Sequence, residues 1–322
     1  MHKMPTETDA SCGPVFGWVP DEYIVESDRY IDSGAIAHMR NGQYKPARRS
    51  NWFVVKSVPV RVTVVNPYPS QKVSSRTAMQ WFSLVRKITS CVDDLCGRSP
   101  IRPACMDITV YLWNRRKWLE STDTEIGSAN ANTGMTKHGH GKKIIVYRRE
   151  ESVKTLVHEI LHAYHVGDWA NDDEAIAESC LAILTDNGVS SATEVSPTEA
   201  VVDSLAIRIS CNLFGGSSWE DCVRHSRAMA EKLLFRMSPW RQSTHAFEYY
   251  VVKAVIMTRM DDFLTAHIAG LQRPDKARVR EILARGASLS PRDAGAGSRM
   301  SMRMTPASLA PPPHPHKKTR RV

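Results

Sequence analysis

The sequence holds no CxxC pair, and its seven cysteines (Cys12, Cys91, Cys96, Cys105, Cys180, Cys211 and Cys222) are odd in number and scattered. That spacing argues against a cysteine-built zinc ribbon and against a disulfide scaffold. No window reaches the run of about eighteen apolar residues that a membrane-spanning helix needs, so no membrane partner is expected. The opening stretch to Tyr30 lacks a basic segment followed by an apolar one, the pattern of a secretory leader. Acids are almost missing from the end: between Arg292 and Val322 only Asp293 stands against seven arginines and lysines. These scarcities point to a soluble protein of a reducing, intracellular compartment. What is present fits a globular chain, with 42% hydrophobic residues and eight tryptophans among 322 residues, which excludes wholesale disorder.

The net charge of +9 invites an acidic partner, but much of it lies in the tail. A nucleic acid is therefore expected as a partner only through that tail, which equally suits a nuclear address at Lys317–Arg321.

Composition divides the chain into four stretches. Residues 1–50 mix Gly, Pro and charges without a sustained period and read as an irregular arm. Residues 51–168 carry strand patterns: Trp52–Pro67, interrupted at Pro59, then Met106–Trp113 and Ile144–Tyr147. Between them Ser75–Leu95 repeats apolar residues at helical spacing, with Ser74 or Ser75 as its cap. Ser128–Gly141 reads as a loop or irregular edge. Residues 169–287 are helical in character, over Ala175–Thr185, Thr198–Leu213, Trp219–Phe235, Ala246–Ala266 and Lys276–Ala287. Residues 288–322 turn basic and Pro-rich, a composition expected to remain disordered. The fold class expected is α+β, a mixed sheet with one or two helices followed by a mainly helical half.

The chemistry concentrates in His158-Glu159-Ile160-Leu161-His162. On a helix the two imidazoles, four residues apart, leave the same face and can reach one ion. Glu159, turned by about a hundred degrees, falls beside that ion, where it can take a proton from an attacking water. The string sits within a strongly periodic apolar helix, with Glu150 and Glu151 at its start and Gly167 as a C-cap. Burying two histidines and a glutamate without partners would be costly, and a metal ion resolves that cost.

With those residues on the page, the chain resembles the zincins, the HExxH metallopeptidases. The resemblance implies Zn2+ as cofactor, His158 and His162 as ligands, Glu159 as general base, and a peptide or protein as substrate. It also implies a third ligand on a later segment. Glu174 followed by Glu178 resembles the gluzincin arrangement, in which a glutamate on a second helix binds metal and an acid four residues on braces a histidine. Glu178 and Asp168 stand as alternatives for the third ligand, although the metzincin-like reading at Asp168 lacks its glycine, since His165 occupies that position. An edge strand beside the cleft is implied too, with Asn132–Thr136 available to line it. A Tyr or His donor to the oxyanion is expected from the C-terminal half, among His245, Tyr249 and Tyr250, with Tyr249 preferred. His165, His138 and His140 read as surface or loop histidines. More loosely, the run from NTGxT through the short strand to the helix looks similar to uncharacterised proteins of large eukaryotic DNA viruses. That would place the chain in the cytoplasm or nucleus of an infected cell, or in a particle. The rival reading is a zincin-fold binding or structural protein without turnover.

Overall fold

The computed structural model describes residues 47–68, 72–98, 100–114, 116–120, 125–139, 141–189, 195–236, 242, 244–286, 288–290 and 299–306. The arm up to residue 46 and the tail beyond Pro306 lie outside the described residues, as do His140 and Ser243.

Valine-rich Trp52–Pro67 is not one interrupted strand but a hairpin. Strand β1 (Ala47–Val55) pairs antiparallel with β2 (Val58–Asn66), and Pro59 is tolerated opposite Val54 at the hairpin end. Lys56 and Ser57 make the turn at φ 50° and 73°, so the breaker is this left-handed pair, not the proline. Ser50 and its neighbours, expected in the arm, already belong to β1. Helix α1 (Ser75–Leu95) follows, and Ser74 caps it by accepting from the Thr77 N–H.

Strands β3 (Met106–Tyr111), β4 (Trp118–Glu120), β5 (Gly134–Lys137) and β6 (Lys142–Val146) come next, with a short helix α2 (Ser128–Ala131) before β5. The main sheet has the order β1-β2-β3-β6-β5. Its centre is parallel (β2/β3/β6) and both edge pairs are antiparallel. Period-two alternation sorts the faces. Val60, Val62, Val64, Ile108, Val110, Ile144 and Val146 face the main core, while Val65, Tyr111, Ile145 and Tyr147 form a smaller cluster on the other face. The stretch expected as a loop or irregular edge thus supplies the edge strand β5.

The helical half comprises α3 (Ser152–Ala163), α4 (Asp168–Asn171), α5 (Glu174–Asp186), α6 (Pro197–Phe214), α7 (Trp219–Arg236), α8 (Lys253–Thr258), α9 (Met260–Thr265) and α10 (Lys276–Ala284). Helix α3 packs on β5, β6 and α1 from one side and on α6 from the other, so all of its residues are buried. One hydrophobic core runs from the sheet through α3 and α6 to α10.

Three local expectations change. The segment expected as one helix over Ala246–Ala266 begins with a π-helical turn, Glu248–Val252, and breaks again at Arg259. At the end of α3 the left-handed residue is His165 (φ 57°), with Val166 N–H bonded to Leu161 O; Gly167 instead precedes α4. Part of the tail is ordered: β7 (Arg299–Ser301) pairs antiparallel with β4, and Met300, Met302, Met304 and Thr305 are buried. Alternating methionines fill apolar space that the tail's overall composition conceals. Cys105, just ahead of β3, is disulfide-bonded, so the expectation of a wholly reduced chain fails there, while Cys91, Cys96, Cys180, Cys211 and Cys222 are free.

Candidate metal centre

Helix α3 holds His158 and His162 one turn apart, both buried, with their Nε2 atoms 3.0 Å from each other. The residue that joins them is Glu199, in the first turn of α6. Its Oε2 lies 3.3 Å from His158 Nε2 and 3.4 Å from His162 Nε2. Ligands at roughly 2.0–2.1 Å around a tetrahedral zinc stand about 3.3 Å apart, so the spacing suits such an ion. The donor chemistry suits it as well: two imidazole nitrogens and one carboxylate oxygen. Among the described residues this is the one group of three metal-ligating side chains that converges in this way.

Glu174 is not part of it. It is exposed at the start of α5, where it lines a shallow acidic surface hollow with Asp172, Asp173 and Glu178. Asp168 reaches the rim of the site and pairs with His165, its Oδ2 2.7 Å from the His165 Nδ1. The third position expected at Glu174 is occupied by Glu199 because α6, not α5, packs along α3.

Asp203, one turn after Glu199, stands behind His158 with Oδ1 3.1 Å from Nδ1. Two buried lysines hold it: Lys154 Nζ lies 2.5 Å from Oδ1 and Lys253 Nζ donates to Oδ2 at 3.1 Å. Burial opposes charge on Asp203, but Lys154, Lys253 and His158 outweigh it and keep the carboxyl well below its usual range. Glu199 is held well below its usual range in the same way: burial works against it, and the two histidines prevail. For His158 burial works downward, yet Asp203 and Glu199 lift it to about 9. Asp203 was not singled out from the sequence. Its signal was two acids, four apart, inside the otherwise apolar run of α6.

Glu159 is buried beside the histidines, and burial pushes its carboxyl up, countered by His158, His162 and a hydrogen bond from Thr136. Thr136 on β5 donates to Glu159 Oε2 at 2.7 Å. Tyr249, on the π-helical turn, donates its hydroxyl to Glu199 Oε2 at 2.8 Å, and its ring centroid lies 5.9 Å from that of His158. Burial, then Glu199, raise its phenol well above the ordinary value, so it stays protonated. Tyr250 points the other way and donates to Met302 O. The π-turn separates two adjacent tyrosines between the site and the ordered tail segment. His245 lines the opening. His158, His162 and Glu199, with Glu159, Thr136 and Tyr249, face a cleft of about 510 Å³ bounded by β5 on one side and by α4 and the start of α6 on the other.

Comparisons add little. No known protein family matches the chain, and no curated protein does. Among solved structures, an aminopeptidase N family protein from Idiomarina loihiensis matches over 75% of this chain and 42% of its own length, at 11% identity and a TM-score of 0.36. The chain spans less than half of that protein, and a likeness so distant fixes neither fold family nor activity. No helix among the described residues is long and apolar enough to cross a membrane.

Proposed function

We propose that the chain is a zinc-dependent metallopeptidase of gluzincin type, with a peptide or protein as substrate. One observation carries the reading: His158, His162 and Glu199 converge within metal-ligand spacing, next to the buried carboxylate of Glu159 and open to a cleft. The pairing of Glu199 with Asp203 on α6 is the ligand-and-brace arrangement that the resemblance implied for Glu174 and Glu178, moved to a later helix.

In this mechanism His158, His162 and Glu199 hold zinc, and Asp203 orients the His158 ring. Zinc bound there lowers the pKa of water towards about 7 and polarises a carbonyl. Glu159 takes the proton from the attacking water and delivers it to the leaving amine, a transfer favoured by a carboxyl whose burial raises its affinity for protons. Tyr249, protonated and at the mouth of the site, donates to the developing oxyanion once substrate displaces its bond to Glu199. Strand β5 stands at the edge of the main sheet among the described residues, and an extended peptide would bind by pairing beside it.

The test is zinc content by elemental mass spectrometry together with cleavage of a peptide library. About one zinc per chain, lost in His162→Ala, and cleavage that disappears in Glu159→Gln with zinc retained, is the expected result. A zinc-free wild type after reconstitution would remove the reading. Zinc binding without any cleavage would leave a zincin-like binding protein.

A further inference from the structure

We infer that Thr136 is a positioning residue for Glu159: its hydroxyl fixes the carboxylate plane and leaves Oε1 as the oxygen that accepts the proton. The inference rests on the peptidase reading and assigns a part of that machinery which the HExxH string does not contain.

Glutamate is a long side chain, and burial alone does not choose between its two oxygens. Strand β5 makes that choice. Its backbone is fixed by pairing with β6, Thr136 opposite Ile144 and Gly134 opposite Val146. Residues two apart on a strand share a face, so Gly134 and Thr136 present themselves together to α3. At Thr136 the hydroxyl lies 2.7 Å from Glu159 Oε2 and 3.0 Å from the Glu159 carbonyl oxygen. At Gly134 there is no side chain; a Cβ would meet Thr155 Cγ2 at 2.6 Å and the Ile145 carbonyl oxygen at 2.9 Å, and would also come within 3.1 Å of Glu159 Oε1. One residue therefore engages Oε2, and the other leaves room for Oε1.

A hydroxyl has one proton to donate, and an ionised carboxylate attracts it more strongly than a carbonyl does. Oε2 thus has a lone pair engaged while Oε1 stays available to the water. When Oε1 takes the proton, Oε2 becomes the carbonyl-like oxygen of the acid and still accepts from Thr136. The hydroxyl holds the group through both halves of the cycle, so the proton remains on the oxygen that must release it to the leaving amine. Without the hydroxyl the carboxylate is free to rotate, and general-base efficiency falls with misplacement on the scale of an ångström.

The experiment compares Thr136→Val, which keeps the shape and removes the hydroxyl, with Thr136→Ser, which keeps the hydroxyl, in the full zinc-loaded chain. For Thr136→Val we expect kcat to fall about 10- to 100-fold with KM nearly unchanged and zinc content equal to wild type. Thr136→Ser should restore most of the loss, a recovery that a purely structural role for the threonine methyl would not give. Crystal structures of wild type and Thr136→Val supply a readout independent of turnover: the Glu159 carboxylate should be rotated or disordered in the valine variant. An unchanged kcat, or a carboxylate in the same place in both structures, overturns the inference. If the wild type cleaves no peptide, the peptidase reading fails by itself, and the position of Glu159 in the two crystals still decides for or against Thr136.

Discussion

Glu199 and Glu174 illustrate what a single acid reveals in a sequence. Both open a helix after the HExxH string, and both are followed four residues later by a second acid. Glu174 and Glu178 are exposed on their helix, whereas Asp203 is fully buried and Glu199 is partly buried, its side chain 19% exposed. Proximity along the chain favoured Glu174 and Glu178, whereas the structure places Glu199 beside the two histidines. The argument that singled out α3, polar groups costly to bury inside an apolar helix, applies equally to Glu199 and Asp203 among Ala200, Val201, Val202 and Leu205. The motif itself was legible because i and i+4 geometry is local; the third donor was not, because it depends on which helix packs against α3. Two substitutions separate the acids. Glu199→Ala should reduce zinc from about one per chain to near zero, while Glu174→Ala should leave it unchanged, both read by elemental analysis. Asp203→Ala should go further than the site, because it leaves Lys154 and Lys253 buried without their shared carboxylate. A destabilisation of about 3–5 kcal/mol in denaturant unfolding is expected, and a change below about 1 kcal/mol would show that the lysines find other partners.

Elements whose signal is periodic were readable, and those made by turns or crossings were not. Helix α1 falls on the expected residues with its expected cap because Ser74 and the apolar repeat are both local features. The β1–β2 hairpin was hidden because its turn is Lys56-Ser57, not the glycine or asparagine that such a turn favours. Strand β5 was hidden because its apolar content is low, and its place at the sheet edge comes from pairing with β6. The same hairpin yields a test. Ser57 holds φ 73°, where a Cβ is strained, so Ser57→Gly should stabilise the chain by roughly 0.5–1 kcal/mol, seen as a higher Tm. A lower Tm would show that the Ser57 hydroxyl contributes more than the strain removes.

At the scale of the molecule, the C-terminal end of the described chain packs beneath the start of helix α3. Thr305 donates to Glu151 Oε1 at 2.7 Å, Glu151 pairs with Lys117 at 2.5 Å, and Met304 Sδ lies 3.4 Å from Lys154 Nζ. The ordered tail segment thus anchors the start of α3, whose N-cap, Glu151, is held at φ 59°. This charged junction predicts how stability depends on pH. Burial opposes charge on Glu151, but Lys117 and Lys154 both act on it and draw its pKa down to about 2. Two lysines sharing one glutamate also explain why Lys117 is lowered, to about 8: burial and the like charge of Lys154 exceed the pull of Glu151. A carboxyl whose folded pKa is depressed adds stability that is fully present above its unfolded value of 4.5 and is lost as pH falls towards 2. The gap in unfolding free energy between wild type and Glu151→Gln should therefore be constant from neutral pH to about 4.5. It should then shrink by on the order of 3 kcal/mol as pH approaches about 2. Denaturant titrations of both proteins at several pH values measure that gap directly. A gap that does not narrow on acidification would mean that Glu151 carries no depressed pKa, and that the buried junction is held by its hydrogen bonds and methionine packing instead of by its charge.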